Sequence, residues 1–354
     1  MKRILVTGGA GFVGSNLALR FKQTRPDTEV IAFDNLRRRG SELSLQRLRQ
    51  GGVRFVHGDV RVREDLFGIG DVGLLIDCAA EPSVLAGMDG SPDYVVQTNL
   101  GGTVHCLELA RRCGAAVVFL STSRVYPIEP INALRYQEQP TRFSLAAQQT
   151  TPGASAHGLS EQFPLEGARS LYGASKLASE LLLQEYRAAY GLKAIVDRCG
   201  VLTGPWQMGK VDQGVVVLWV AKHVFQGRLG YIGYGGTGKQ VRDLLHVQDL
   251  FDLLQLQLAN LDRLDGQVFN VGGGVDVSVS LQELTALCRE HTGRTIPIDA
   301  VRENRSQDLI CYLSDCRKVT TATGWQPRHS ASAIVQEIAR WIVDHRRDLE
   351  PILA

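Results

Sequence analysis

The chain has no long hydrophobic run. Its apolar stretches are four to eight residues, strand length, against the about 20 that a membrane-spanning helix needs, so no span is expected. Neither charge is in excess, with 39 Lys and Arg against 37 Asp and Glu and a net of +2. That balance offers no concentrated basic face to a nucleic-acid polymer, and the longest basic run, Arg37-Arg38-Arg39, reads as a solvated turn. The seven cysteines are odd in number and contain no Cys-x-x-Cys pair, and the eight histidines lack ligand spacing. A disulfide framework or a metal site is therefore not expected, and a reducing cytosol is the expected compartment. The first residues enter a strand at once, with no leader-like apolar region, in keeping with that compartment.

What is present is 354 residues, 44% of them hydrophobic, enough for about two domains at roughly 150 residues each. Short apolar runs at 4–7, 30–33, 53–57, 74–77, 117–121 and 194–197 alternate with helical stretches at 11–22, 43–50, 101–113 and 172–189. Apolar strands separated by helices predict a parallel sheet covered on both faces, because each crossover packs back on the sheet. Ligands of such sheets lie beyond the carboxyl ends of the strands. After residue 199, Gly-rich segments alternate with helical runs at 214–225, 247–260 and 281–292. A last amphipathic helix is expected at 331–346, where Ile334, Ile338, Trp341, Ile342 and His345 share a stripe. Residues 144–156 read as a loop. The expected domains are 1–198 with 239–270, and a smaller one from 199–238 with 271–354.

The first strand runs into Thr7-Gly8-Gly9-Ala10-Gly11-Phe12-Val13-Gly14 and a helix. Glycines at 8, 11 and 14 allow a tight turn, close approach to a pyrophosphate, and close packing of helix on strand. The helix N-terminus then presents unpaired N–H groups and partial positive charge to the anion. Twenty residues beyond Gly14, Asp34 ends the second strand. A carboxylate there takes the adenosine ribose hydroxyls and repels a 2′-phosphate, favouring NAD, while the nearby Arg37–Arg39 argue for NADP. Asp59, after the third strand, reads either as a contact to the adenine amine or as a loop cap.

Tyr172-Gly173-Ala174-Ser175-Lys176 sets a phenol and an ammonium at i and i+4, on one helical face. A phenol is a poor base at neutral pH, and a neighbouring cation favours its phenolate. Lowering it by three units requires roughly 4 kcal/mol of differential stabilisation. The phenolate then takes a hydroxyl proton as hydride leaves the same carbon. A hydroxyl in Leu120-Ser121-Thr122-Ser123-Arg124-Val125-Tyr126 would hold that oxygen.

These residues together resemble the extended short-chain dehydrogenase/reductase family, in particular its NAD-dependent nucleotide-sugar epimerases and dehydratases. The resemblance covers essentially the whole chain. The glycine turn, Asn99-Leu100-Gly101-Gly102-Thr103, the pair Tyr172 and Lys176, and Thr122 ahead of Val125-Tyr126 all match family motifs. It implies a Rossmann-type α/β fold, a doubly wound parallel sheet with a smaller α/β substrate-binding domain. It also implies Thr122, Tyr172 and Lys176 as catalytic groups. The implied cofactor surface comprises Gly8, Gly11, Phe12, Val13, Gly14, Asp34, Asn35, Asp59, Val60, Ala79, Ala80 and Asn99, with Tyr172 and Lys176. Gly238-Lys239-Gln240-Val241-Arg242-Asp243 resembles the segment whose Arg contacts a substrate pyrophosphate. Arg305 and Asp308, ahead of Asp315, resemble a pair that holds the nucleotide phosphate and ribose; for Arg242 and Arg305, ordinary salt bridges are the competing reading.

Dehydratase and decarboxylase members carry an acid two residues beyond the catalytic Ser/Thr. Here that position is Arg124, which cannot protonate a departing hydroxyl at neutral pH. The basic residue before Val125-Tyr126, Asp212-Gln213-Gly214, the run from Gly238 to His246 and the insert from Pro127 to Leu171 resemble the branch of CDP-tyvelose (CDP-paratose) 2-epimerases. That likeness implies a CDP-sugar substrate, with Arg124 and Gln213 among its contacts. It implies oxidation of C2 to a ketone and return of hydride to the other face. Val201 stands where many relatives have Asn, and Ile310 where close relatives have Arg. The alternatives are 4-epimerisation or keto-sugar reduction at the same site, or a cofactor-sensing regulator without catalysis. A homodimer or homotetramer paired through helices 101–113 and 172–189 is the expected assembly.

Overall fold

In the computed structural model, which describes residues 3–88, 90–209 and 213–354, seven strands form the central sheet. Their order is Val268–Val271, Ala194–Cys199, Ala116–Thr122, Leu74–Asp77, Arg3–Thr7, Glu29–Asp34 and Arg54–His57. The first strand in the chain thus lies inside the sheet, with the second and third to one side and the fourth and fifth to the other. The pairings among these five strands are parallel. This doubly wound arrangement is the Rossmann-type fold expected, and its strand order reverses between Arg3–Thr7 and Leu74–Asp77, where such sheets bind ligands.

Burial explains why these segments are strands. All seven residues of Ala116–Thr122 are buried, as expected where helices cover both faces. One side of the core joins Leu5, Ile31, Phe33, Val117 and Phe119 to Leu107 and Ala110 of the helix Gly102–Cys113 and Leu183 of the helix Leu171–Tyr190. The helix expected at 101–113 has a longer entry: Asp93–Val96 leads through a π-turn, Gln97–Gly101, into Gly102–Cys113. Inserted turns of this kind are frequent at functional sites, and this one carries Asn99.

The chain divides into two compact units. The first comprises Met1–Val125, Ser170–Arg198 and Phe251–Phe269; the second comprises Tyr126–Arg169, Cys199–Leu250 and Asn270–Ala354. This differs from the sequence expectation in two places. Residues 126–169 and 239–250 group with the second unit, which makes the two nearly equal in size. The insert joins it through its backbone: Phe143 N–H bonds the Lys239 carbonyl at 2.9 Å, and Leu159 N–H bonds the Leu313 carbonyl at 2.9 Å. Nor is 144–156 wholly a loop, since Phe143–Leu145 pairs with Tyr136–Glu138 and Ala154–Ser155 with Gly158–Leu159. Within the second unit, Val241–His246 lies parallel to Val201–Thr203 and Cys311–Tyr312 and antiparallel to Ser278–Ser280.

In the first unit, the carboxylate of Glu180, on the helix Leu171–Tyr190, accepts from Arg198 Nε at 3.1 Å and from a terminal guanidinium nitrogen at 2.7 Å. It also accepts the Ser121 hydroxyl. The Arg198 and Glu180 side chains are 6% and 2% exposed, so neither charge has water as an alternative partner. Glu180→Ala removes the buried guanidinium's carboxylate and should lower the unfolding free energy by about 3–5 kcal/mol in urea denaturation followed by circular dichroism. Nearby, buried Asp197 accepts from Gln257 Nε2 at 2.7 Å. Burial pushes its carboxyl up to about 7, against the pull of Gln257. Because the folded state raises this group, its contribution favours folding below about pH 4 and is lost as pH rises to about 7. Asp197→Asn should therefore gain stability over the parent across that window, by up to roughly 1.4 kcal/mol per pH unit. Urea midpoints at pH 4 to 8 read this out; a pH-independent difference would show that Asp197 does not titrate there.

Candidate functional site

The helix Phe12–Thr24 starts at Gly11, an N-cap without a side chain, so no side-chain oxygen competes for the N–H groups of its first turn. Gly11 N–H bonds the Gly8 carbonyl at 3.0 Å. Gly8 has φ +61°, and a Cβ at Gly14 would lie 2.2 Å from the Gly8 carbonyl oxygen. The glycines thus let the helix close on the strand end, which is the cradle a dinucleotide pyrophosphate fits. Phe12 and Val13 are half-buried in the same turn.

Below the turn lies a buried network that sequence reasoning missed. Asp77, 2% exposed at the end of Leu74–Asp77, accepts the Thr7 hydroxyl at 2.7 Å and the Thr103 hydroxyl at 2.9 Å. The Thr7 oxygen in turn accepts the Cys78 and Ala79 N–H groups at 3.2 and 3.3 Å. Three elements are pinned at one edge, and the segment with Ala79 and Ala80 is held there. The available signal was an acid closing an otherwise apolar strand.

Asp34 Oδ2 accepts Ala10 N–H at 3.1 Å and Oδ1 accepts Leu36 N–H at 2.7 Å. Burial pushes its carboxyl up, while the Leu36, Ala10 and Gly11 N–H groups pull the other way. Asn35 Nδ2 donates to Asp59 Oδ2 at 2.9 Å, and Arg61 pairs with Asp59 at 2.6 Å. Partial burial works to raise Asp59, but Arg61 and Asn35 outweigh it and hold its carboxyl at about 2. Asp59 is therefore a cap for its own loop, and Val60 beside it is buried. The Arg37 guanidinium lies 3.8 Å above the Tyr94 ring centre, so it is engaged there.

Thr122 closes its strand, 7% exposed, and its oxygen accepts Arg124 N–H at 3.2 Å. With that lone pair used, the hydroxyl proton is left to donate. The helix carrying Tyr172 and Lys176 starts at Ser170, whose side chain accepts Gly173 N–H at 3.1 Å, and it packs on the strand and on the turn Ser123–Val125. Tyr172 is half-buried; Lys176 is 1% exposed, its Nζ 3.8 Å from the Phe119 ring centre. Burial pushes the nearby Cys78 thiol up, and the Lys176 charge opposes that rise. The side chain of fully buried Asn99 binds both backbone groups of Glu81, its Oδ1 accepting N–H at 2.8 Å and its Nδ2 donating to the carbonyl at 3.2 Å. The same Nδ2 lies 3.0 Å from Ser175 Oγ. Asn99 thus joins the loop after the fourth strand to the residue between Tyr172 and Lys176 in that helix.

In the second unit, two residues read as separate contacts are bonded to each other: Arg242 donates to Asp308 Oδ1 at 2.7 Å. Asn132 of the insert braces the segment, donating to the Asp308 carbonyl and accepting Ile310 N–H, both at 3.0 Å. Arg305 and Gln213 are half-buried in the same unit, and Asp212, grouped with Gln213 in the sequence, lies outside the described residues. Buried Asp243 is structural, accepting Ser314 N–H at 3.1 Å and Gly274 N–H at 3.2 Å. Its burial pushes the carboxyl up to about 6, against those donors. Tyr126 donates to Asn270 Oδ1 at 2.8 Å, and Asn270 N–H bonds Glu161 of the insert at 2.6 Å.

The sequence indicated no metal, yet His246, His329 and Glu337 place ligand atoms within 4.8 Å of one another. His246 Nδ1 accepts Gln248 N–H at 3.2 Å, so its Nε2 carries the proton facing Glu337 at 3.1 Å. A metal on that Nε2 would need the opposite tautomer.

Among the described residues, no helix is long and apolar enough to cross a membrane. The sequence profile of the NAD dependent epimerase/dehydratase family matches residues 4–272. CDP-paratose 2-epimerase of Salmonella typhi is 32% identical over 351 residues, covering 96% of this chain and 98% of that protein. Among solved structures, a dTDP-glucose 4,6-dehydratase double mutant from Streptomyces venezuelae with NAD bound is similar at 29% identity and TM-score 0.77, covering 99% of each chain. UDP-glucose 4-epimerase of Thermus thermophilus in complex with NAD is similar at 27% identity and TM-score 0.75, covering 96% of this chain and 99% of that one. With its glycine turn between strand and helix and a family match over most of its length, the chain belongs to the NAD-dependent epimerase/dehydratase family, whose members here act on nucleotide-sugars.

Proposed function

We propose that the chain is a nucleotide-sugar 2-epimerase that interconverts CDP-paratose and CDP-tyvelose. The observation that carries this reading is Arg124, two residues beyond Thr122, where elimination chemistry would need an acid. Full-length similarity to CDP-paratose 2-epimerase of Salmonella typhi supports the substrate. Gly8, Gly11 and Gly14 hold the cofactor pyrophosphate in this proposal, Asp34 the adenosine ribose, and Asn99 and Lys176 the edge where the nicotinamide binds. Bound NAD supplies a reversible hydride acceptor.

The rest is done by side chains. Thr122 holds the sugar C2 oxygen by donating a hydrogen bond to it and keeps its own proton throughout. Tyr172, as phenolate, takes the C2 hydroxyl proton while hydride leaves the same carbon, so the carbon becomes a ketone and the proton rests on the phenol. Lys176, buried one helical turn away, stabilises the phenolate. After the sugar turns over, Tyr172 returns its proton to the oxygen as hydride comes back to the opposite face, and every group is restored. Arg242 and Arg305 neutralise the substrate pyrophosphate, with Asp308 orienting Arg242 and Gln213 and Arg124 completing the contacts. We also place the protein in the cytosol as a homodimer or homotetramer. Leu181 and Tyr190, 57% and 58% exposed on the helix Leu171–Tyr190, support the pairing.

Proton NMR of CDP-tyvelose with the protein in D2O tests the reaction. Inversion at C2 with no deuterium entering that carbon is expected; deuterium uptake would mean proton abstraction from carbon and would remove Tyr172 from its role. Turnover of UDP-glucose in place of CDP-sugars would make the chain a 4-epimerase. Tyr172→Phe should lower kcat by about 10²–10⁴-fold, the range for general acid–base groups, with NAD still bound.

A further inference from the structure

Arg37 and Tyr94 meet across the point where the strand order reverses. Arg37 follows the strand Glu29–Asp34 and Arg61 follows Arg54–His57, both to one side of Arg3–Thr7. Tyr94 lies on Asp93–Val96, in the connection after Leu74–Asp77 on the other side. The Arg37 guanidinium is 3.8 Å and the Arg61 guanidinium 4.8 Å from the Tyr94 ring centre. A planar cation over an aromatic face is attracted by the ring quadrupole, so one ring here holds two loops.

The two arginines are also tied to each other. Arg37 N–H bonds Asn35 Oδ1 at 3.0 Å, Asn35 bonds Asp59 at 2.9 Å, and Asp59 pairs with Arg61 at 2.6 Å. Arg37, Asn35, Asp59, Arg61 and Tyr94 make a closed circuit around the edge assigned to the adenosine. Tyr94 is also connected to the helix Leu171–Tyr190, since its short helix runs directly into the π-turn that holds Asn99, which bonds Ser175. Ligands of a doubly wound sheet lie in the crevice at the reversal point, and the contact of Arg37 with Tyr94 crosses that point.

We propose that Tyr94, gripped by Arg37 and Arg61, is a strap over the adenosine half of NAD that sets how long the cofactor stays bound. An enzyme that returns hydride to its own substrate regenerates the cofactor each cycle and gains from keeping it. The strap rests on the NAD-dependence of the family and not on which sugar is turned over.

The test is the exchange of bound NAD against a radiolabelled NAD chase in the purified holoenzyme, with no sugar present. Tyr94→Ala should release NAD about tenfold faster or more, the scale of losing two such contacts. Tyr94→Phe, which keeps the ring, should exchange at the parent rate. Arg37→Ala, at an exposed residue, should also speed exchange and repeats the test if Tyr94→Ala does not fold. Unchanged melting with saturating NAD would separate faster release from a damaged fold. Exchange at the parent rate in Tyr94→Ala or Arg37→Ala would overturn the strap, as would Tyr94→Phe exchanging as fast as Tyr94→Ala. A failed epimerase assay alongside slow parent exchange would count against the sugar assignment alone.

Discussion

The carboxylate of Glu180 is the fixed point of the first unit. It lies one helical turn beyond Lys176 and two beyond Tyr172, and its partners sit on two neighbouring strands, Arg198 on one and Ser121 on the other. Two opposite charges this deeply buried hold their geometry closely, because separating them leaves charge in a medium that solvates it poorly. Ser121 immediately precedes Thr122. The bond that anchors the helix therefore also anchors the strand end that carries the third proposed catalytic group.

The cofactor edge is built by the same economy, with each polar side chain serving more than one element. Asp77 joins Thr7 and Thr103, and Thr7 receives the backbone of Cys78 and Ala79. Asn99 completes the row by tying Glu81 to Ser175. These bonds lie at the carboxyl ends of parallel strands, where backbone groups leaving the sheet need new partners. The glycines do the complementary work of removing side chains where helix and strand must touch.

The second unit carries the polar groups proposed for substrate, and its organisation explains why the insert from Pro127 belongs with it. Asn132 holds the Asp308 segment, Glu161 holds Asn270, and the pair Arg242–Asp308 is already formed. An arginine held by one carboxylate presents its remaining donors in a defined direction, a better receptor for a pyrophosphate than a mobile side chain. Asp243, next in sequence to Arg242, points its carboxylate into backbone N–H groups and so fixes the strand that displays Arg242.

Much of this was determined by the sequence alone. Apolar runs of strand length separated by helices require a covered parallel sheet, and Gly8, Gly11 and Gly14 mark the close turn from strand to helix because backbone closeness leaves few other residue choices. That Tyr172 and Lys176 share one helix was legible because helical periodicity is local. Only the tertiary structure decided that Arg242 and Asp308 pair, that Asp59 is held by Arg61 and Asn35, that residues 126–169 and 239–250 join the second unit, and that Tyr94 spans the strand reversal. Each of these joins residues distant in sequence, or depends on which of several competing donors a side chain reaches. Spacing along the chain carries no record of that competition, which burial and hydrogen-bond geometry settle only once the chain is packed.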